Sequence, residues 1–149
     1  MIAGEGVSGQ LFGFSGKAPD ETAIEGLLSD AYELENRTVS HQLVPSPIKI
    51  GYWRSVGHSS NNYATECFLD EVASALKVDP IHFRLNLLRK NKRAMRVLQA
   101  VQEKAGGQLT RPYRGREQSV CARGVAFSFS FGSYVANIAE VLLSQGKKF

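Results

Sequence analysis

The hydrophobic pattern of this 149-residue chain changes its period twice. Residues 1–18, MIAGEGVSGQLFGFSGKA, hold five Gly and little periodicity, which reads as a short strand followed by irregular chain. Pro19, Asp20 and Glu21 open a brief helical stretch, ETAIEGLLSDAY, in which Ile24, Leu27 and Leu28 share a face. Over 36–44 Thr38, Ser40 and Gln42 alternate with Val39, His41 and Leu43, the pattern of a strand. Pro45 and Pro47 interrupt it, and IKIGYW, 48–53, reads as a second extended piece.

From Asn61 the period becomes 3.6. Ala64, Cys67, Phe68, Val72, Ala75 and Leu76 fall on one stripe and Glu66, Asp70 and Glu71 fall off it, so an amphipathic helix over 61–77 is expected to bury the first set. Asp79 and Pro80 make an N-cap and first-turn pair for a second helix, 80–89, with Ile81, Leu85 and Leu88 inward. A third helix, 92–105, repeats Ala94, Val97, Leu98, Val101 and Ala105 and stops at Gly106 and Gly107.

After the basic loop GGQLTRPYRGREQS the period returns to 2. Val125, Phe127, Phe129 and Phe131 face one way, and Gly132 with Ser133 fits a two-residue turn into YVANIAEVLL. That last segment is apolar on both faces apart from Asn137 and Glu140, as a central strand is. The sum is an α+β fold: a small, mostly antiparallel sheet containing the 120–131 and 134–143 hairpin, with two to three helices packed on one face through Cys67, Phe68, Val72, Leu85 and Leu88. Residues 1–149 read as a single domain.

Composition adds a division of charge. Residues 1–79 hold 5 Lys and Arg against 11 Asp and Glu, and residues 80–149 hold 13 against 3, so halves of −6 and +10 make up the net +4. Such a split suits internal pairing or docking to a larger partner. Cys67 and Cys121 lie in different predicted elements with no CxxC, which reads as two buried free thiols rather than a zinc site or a disulfide framework. No apolar run reaches the roughly 18 residues of a membrane span, and the N-terminus lacks the basic and long apolar regions of an export signal, so the expected location is cytoplasmic.

Several chemical motifs are absent. His41, His58 and His82 have no metal-ligand spacing, the early Gly residues form neither GxxxxGK[ST] nor GxGxxG, and there is no GxSxG elbow. No catalytic and no metal-binding residue is assigned. The basic run RLNLLRKNKRAMR could follow a phosphate backbone through Arg89, Lys90, Lys92, Arg93 and Arg96, but no aromatic residue interleaves after Phe83. A solvated or partner-facing surface is the favoured reading and nucleic acid a distant third. The stretch GYWRSVGHSS is richer: Tyr52 and Trp53 precede Arg54, and Gly57 leaves the backbone open to close approach near a helix N-terminus, a way to press peptide N–H groups and a guanidinium against a bulky anion.

The segment GYWRSVGHSSNNYATECFLDEVASALKVDPIHFRLNLL resembles the molybdopterin-binding large subunits of the xanthine dehydrogenase and aldehyde oxidase family, most of all the large (beta) chains of isoquinoline 1-oxidoreductase. Trp53 to Gly57, Glu66 to Ala73 and Asp79 to Leu88 match a WRSVG loop, an ESFIDELA-type helix and a DPxxFRxxLL helix start. Upstream, AIEGLLSDAYELENRTVSHQLV is similar to a VEGAxDxPY segment, and downstream ARGVAFSFSFGSYVANIAEV is similar to a family hairpin, so the resemblance covers about residues 20–143 in order. It implies a molybdenum–pterin cofactor that inserts a water-derived oxygen at an electron-poor C–H of an aldehyde or N-heterocycle. It also implies that Trp53, Arg54, Ser55, Val56 and Gly57 bind that cofactor, with Val56 on the substrate side.

The family's catalytic Glu, in a Gly-Gly-x-Gly-Glu context, is absent, as are its other pterin-holding glycine loops. The chain is therefore expected to be an interior piece of such a domain, or a stand-alone derivative, that holds no molybdenum alone and is not catalytic alone. Whether it is an enzyme in any setting stays open. The second reading is a repurposed interaction module, a homo-oligomer joined through the edge of its sheet. The expected partners are thus another copy or a larger molybdenum hydroxylase assembly, with no membrane.

Overall fold

The computed structural model describes residues 21–27, 31–42, 44, 47–48, 51–106, 113–114 and 120–143. A single 3-10 turn, Glu21–Ala23, leads through irregular chain to three helices, α1 (Gly57–Ala75), α2 (Pro80–Leu87) and α3 (Lys92–Ala105). The strands β1 (Tyr113–Arg114), β2 (Val120–Ser130) and β3 (Ser133–Leu143) follow. They form one antiparallel sheet in the order β1-β2-β3. Helix α3 packs against β3 and α1 runs along β2, giving the α+β arrangement that the alternation of periods predicts.

Local chemistry sets the helix ends. The Asp79 carboxylate accepts from the backbone N–H of Ile81 at 3.0 Å and of His82 at 3.1 Å, with Pro80 supplying the first turn's fixed φ. Asn91 caps α3 through Ala94 N, and Gly106 ends it in the left-handed conformation at φ 76°. The core joins Leu69 of α1, Ile81 and Leu88 around α2, Ala94 and Leu98 of α3, and Val125 and Phe127 of β2, with Tyr32 closing one side. Ile81, Leu88 and Leu98 are sealed from solvent. Burial of such a side chain contributes about 1.5–3 kcal/mol.

Several expectations from the pattern do not hold. The alternation over 36–44 does not form a strand: the described residues 36–42 and 44 are irregular and mostly exposed. Its weakly apolar face has no described strand to pair with. The helical stretch after Pro19 shrinks to one turn, because Gly26 takes φ 83° and turns the chain away. Residues 1–18, Leu28 and most of the loop 107–119 lie outside the described residues.

The packing face of α1 is the largest correction. The helix starts at Gly57, not Asn61, and Ala64, Cys67, Phe68, Ala75 and Leu76 are exposed, Phe68 at 63% and Leu76 at 59%. Gly57, Glu66, Leu69 and Ala73 are buried instead. Cys67 is accordingly an exposed thiol, while Cys121 is buried. The apolar stripe was outvoted because a buried cation on α2, Arg84, draws Glu66 inward. Of the contacts expected to hold the layers together, Leu88 and the half-buried Leu85 meet the core, and Cys67, Phe68 and the half-buried Val72 do not.

The hairpin is displaced by one residue from the expected turn. Ser130 pairs with Ser133, leaving Phe131 and Gly132 as the two-residue loop at φ 48° and 76°. Both positive angles are those of a type I′ turn, which matches the right-handed twist of the flanking strands. β3 is the outermost described strand rather than a central one, and Val135, Val141, Leu142 and Leu143 are exposed.

Candidate functional site

The chain from Trp53 to Gly57 folds into a tight turn whose last residue opens α1. The carbonyl of Trp53 accepts from Val56 N–H at 2.9 Å, and that of Ser55 accepts from His58 N–H at 3.0 Å. Ser59 Oγ donates to the Arg54 carbonyl at 3.2 Å. This path puts two consecutive non-glycine residues at left-handed φ, Ser55 at 69° and Val56 at 47°. For a β-branched side chain the conformation is a true outlier, costing on the order of 1–3 kcal/mol. Trp53, 68% exposed, and Tyr52 and Arg54, also exposed, surround the turn.

What holds the strained turn is the segment behind it. A Cβ on Gly57 would stand 2.2 Å from the Thr22 carbonyl oxygen, so only glycine admits this contact. Asn61 Nδ2 donates to the carbonyls of Ala23 at 2.8 Å and Glu25 at 2.9 Å, clamping the 21–26 turn onto the start of α1. His58 Nδ1, beside Gly26, and Glu25 Oε2 are buried with no hydrogen-bond partner among the described residues.

The N-terminus of α1 has no cap from its own residues. Val56 at its N-cap offers no side-chain hydrogen bond and the first turn holds no acid, whereas Asp79 and Asn91 cap the other two helices. The acid nearest the start of this 19-residue helix comes from outside it: Glu25 packs against Gly57 from the 21–26 turn. Of the five residues singled out in the sequence, Trp53 and Arg54 are exposed, Ser55 and Val56 half-buried, and Gly57 buried.

Further along α1 lies a buried polar hub that the sequence pattern misplaced. Glu66 is 4% exposed and Arg84 fully buried. Glu66 Oε2 accepts from Arg84 Nε at 2.9 Å and from Phe127 N–H at 2.8 Å, while Oε1 accepts from the Tyr32 hydroxyl at 2.8 Å. Arg84 also donates to the carbonyls of Glu66 and Pro80 and to Asp70 Oδ1. Burial, with the Glu66 carboxylate next, pushes the Tyr32 phenol far above its ordinary range. Burial would lower the Arg84 pKa, but Glu66, then Tyr32 and Asp70, more than offset it and hold the guanidinium charged. The signal that could have found this hub is the i, i+4 pair Glu66 and Asp70 facing the cation of the next helix.

The basic run 84–96 is split by this arrangement. Arg84 belongs to the core, Arg89 and Lys90 gather around Glu33, and Arg93 lies over the Tyr134 ring at 5.5 Å. His41 and His82 are exposed and apart from the turn. Among the described residues no three His, Cys, Asp or Glu side chains cluster to hold a metal, and no helix is long and apolar enough to cross a membrane.

The chain is similar to segments of two dehydrogenases. It is 38% identical over 89 residues to the membrane-bound aldehyde dehydrogenase [pyrroloquinoline-quinone] of Gluconacetobacter polyoxogenes, a match covering 56% of this chain and 11% of that protein. It is 30% identical over 100 residues to a subunit of the nicotinate dehydrogenase of Pseudomonas putida, covering 66% of this chain and 8% of that one. The matched stretch thus spans about a tenth of either relative's length. No family model matches the chain. No solved structure matches it either.

Proposed function

We propose that this chain is a partial molybdopterin-binding domain of a molybdenum hydroxylase, the kind that oxidises aldehydes or N-heterocycles, and that it supplies one wall of the cofactor site without catalysing alone. The observation that carries this reading is the strained Trp53–Val56 turn feeding an uncapped helix N-terminus beside Arg54. The similarity to an aldehyde dehydrogenase and to part of a nicotinate dehydrogenase supports it. When bound, a molybdenum–pterin group supplies the redox chemistry that hydroxylates an electron-poor C–H. Arg54 and the backbone from Ser55 to Gly57 would hold its anionic part, Trp53 would screen it from water, and Val56 would border the substrate. The whole chain then stands as an interior part of a larger domain, inside an assembly that supplies the remaining loops and the catalytic base.

Trp53 is the chain's one tryptophan, so its emission reports on this turn directly. Pterin-6-carboxylate, a planar heteroaromatic anion, is expected to change that emission saturably, with Arg54→Ala weakening binding about tenfold through loss of a charge-assisted contact. The absence of any saturable change would overturn the reading. Elemental analysis of the purified chain is expected to find no stoichiometric molybdenum. Finding it, with turnover lost in Arg54→Ala, would instead indicate a complete centre.

A second reading has one observation in its favour. The outer face of β3 exposes Val135, Val141 and Leu143 on the outermost described strand, a template for another chain's strand. The module would then pair with a second copy. Light scattering that gives a monomer across micromolar concentrations, for the wild type and Val141→Lys alike, would remove this reading.

A further inference from the structure

The backbone of β3 is used on one side only. Phe127 donates its N–H to Glu66 and its carbonyl accepts from Asn62, so the cross-strand pair Phe127 and Ala136 exchanges no ladder hydrogen bond. Bonded and unbonded pairs alternate along an antiparallel ladder, so Tyr134, Ala136, Ile138 and Leu142 all turn their N–H and C=O groups away from β2. No described strand lies on that side.

The strand also lacks the devices that blunt an edge. Its 11 residues include no Pro and no Lys, and they pair one to one with β2 without a bulge. Its single charge, Glu140, is matched by Arg123 of the neighbouring strand. Val135, Val141 and Leu143 stand exposed on the outer face.

Helix α3 decides what can pair there. It packs on β3 more than on β2. A helix with its side chains is about 10 Å across and neighbouring strands stand about 4.8 Å apart, so a helix centred near β3 reaches over the place of the next strand. A second copy pairing antiparallel through this edge would bring its own α3 to the same face, where the two helices would overlap. An extended segment without a helix of its own fits. At the loop end of the edge the exposed Arg93 guanidinium stands 5.5 Å above the Tyr134 ring, and no acid pairs with it among the described residues.

We infer that the free edge of β3 takes up an extended segment of another polypeptide as an added strand, apolar toward Val135 and Val141 and acidic beside Arg93. Backbone pairing supplies the affinity, and the two faces supply the selection. The inference uses neither Trp53 nor Arg54, so it stands apart from the cofactor reading. It shares the edge of β3 with the second reading and names a different occupant.

The probe is an acetylated, fluorescein-labelled peptide of nine residues, alternating Val and Thr with Glu in place of the first Thr, titrated with the full chain while anisotropy is followed. Saturable binding is expected. Two further versions carry N-methyl groups on one or the other alternate set of residues. Methylation of the set that faces β3 is expected to weaken binding about tenfold, through loss of several ladder hydrogen bonds, and methylation of the other set to leave it unchanged. Arg93→Ala is expected to weaken the Glu peptide about threefold and to leave its Gln counterpart unchanged. Equal effects of the two methylated sets, or no saturable binding of the unmethylated peptide, overturn strand addition. A Glu peptide that binds Arg93→Ala as well as the wild type overturns the acidic side of the partner. Light scattering that shows a dimer unable to take the peptide assigns the edge to a second copy and overturns this occupant. None of these results bears on the cofactor reading, which pterin-6-carboxylate tests separately.

Discussion

The Glu66 carboxylate accepts a hydrogen bond from the Phe127 backbone N–H at 2.8 Å, so a helix side chain takes the place of a neighbouring strand. Among the described residues β1 pairs with β2 only at Cys121 and Val120, and no described strand lies along the same edge of β2 further on. One turn earlier on α1, Asn62 Nδ2 donates to the Phe127 carbonyl at 3.3 Å. Together Asn62 and Glu66 satisfy both backbone groups of one strand residue that would otherwise be buried and unpaired. This contact fixes α1 against the hairpin and thereby sets the Trp53–Gly57 turn beside the hairpin tip.

Removing the carboxylate should therefore cost far more than an ordinary surface change. Glu66→Ala leaves Arg84, Tyr32 and Phe127 N–H without their shared acceptor, and breaking a buried ion pair this way typically costs about 3–5 kcal/mol. Urea unfolding is the measurement, and a loss below about 1 kcal/mol would contradict the hub.

The two faces of α1 give opposite expectations. Leu69→Ala creates a cavity in the core and should destabilise by about 2–4 kcal/mol, whereas Phe68→Ser changes a solvent-facing ring and should stay within about 0.5 kcal/mol. Equal losses in the two variants would mean that α1 is turned differently.

Gly57 and Gly124 separate close approach from mere flexibility. Gly57→Ala drives a Cβ toward the Thr22 carbonyl and should cost about 2 kcal/mol or more while disturbing Trp53 emission. At Gly124 an added Cβ meets nothing within 4 Å, so Gly124→Ala should be neutral to slightly stabilising. Thermal unfolding of the pair distinguishes them.

Alkaline pH should reveal Tyr32. Its folded-state pKa is raised by burial and by Glu66, so the native protein keeps this proton while the unfolded chain loses it near pH 10. The resulting stability is complete below pH 10 and falls as pH rises above it. In ultraviolet titration one of the five tyrosines should stay un-ionised until the protein unfolds. In Tyr32→Phe that withheld step should disappear, at a cost of about 1 kcal/mol for the lost hydrogen bond.

Elements whose ends carry their own chemistry are legible in the chain alone. Asp79–Pro80 and Asn91 start α2 and α3, Gly106 stops α3, and alternation at Val125 and Phe127 marks the inward face of β2, because caps, turns and period-2 patterns act within a few residues. The same local reading singles out Trp53–Gly57, since its residues are contiguous, but it does not show that Gly57 is buried against Thr22. Long-range packing alone selects which of the two sides of α1 turns inward and what stands beside the turn. Periodicity counts apolar residues, and it places Phe68 inside and Glu66 outside. Arg84, 18 residues away, reverses that choice, since a buried cation is stable only with its carboxylate and the hydrogen bonds that complete the pair. The meeting of His58 with Phe131 spans 73 positions of chain and depends on α1 covering this edge of β2, a relation that no local pattern encodes.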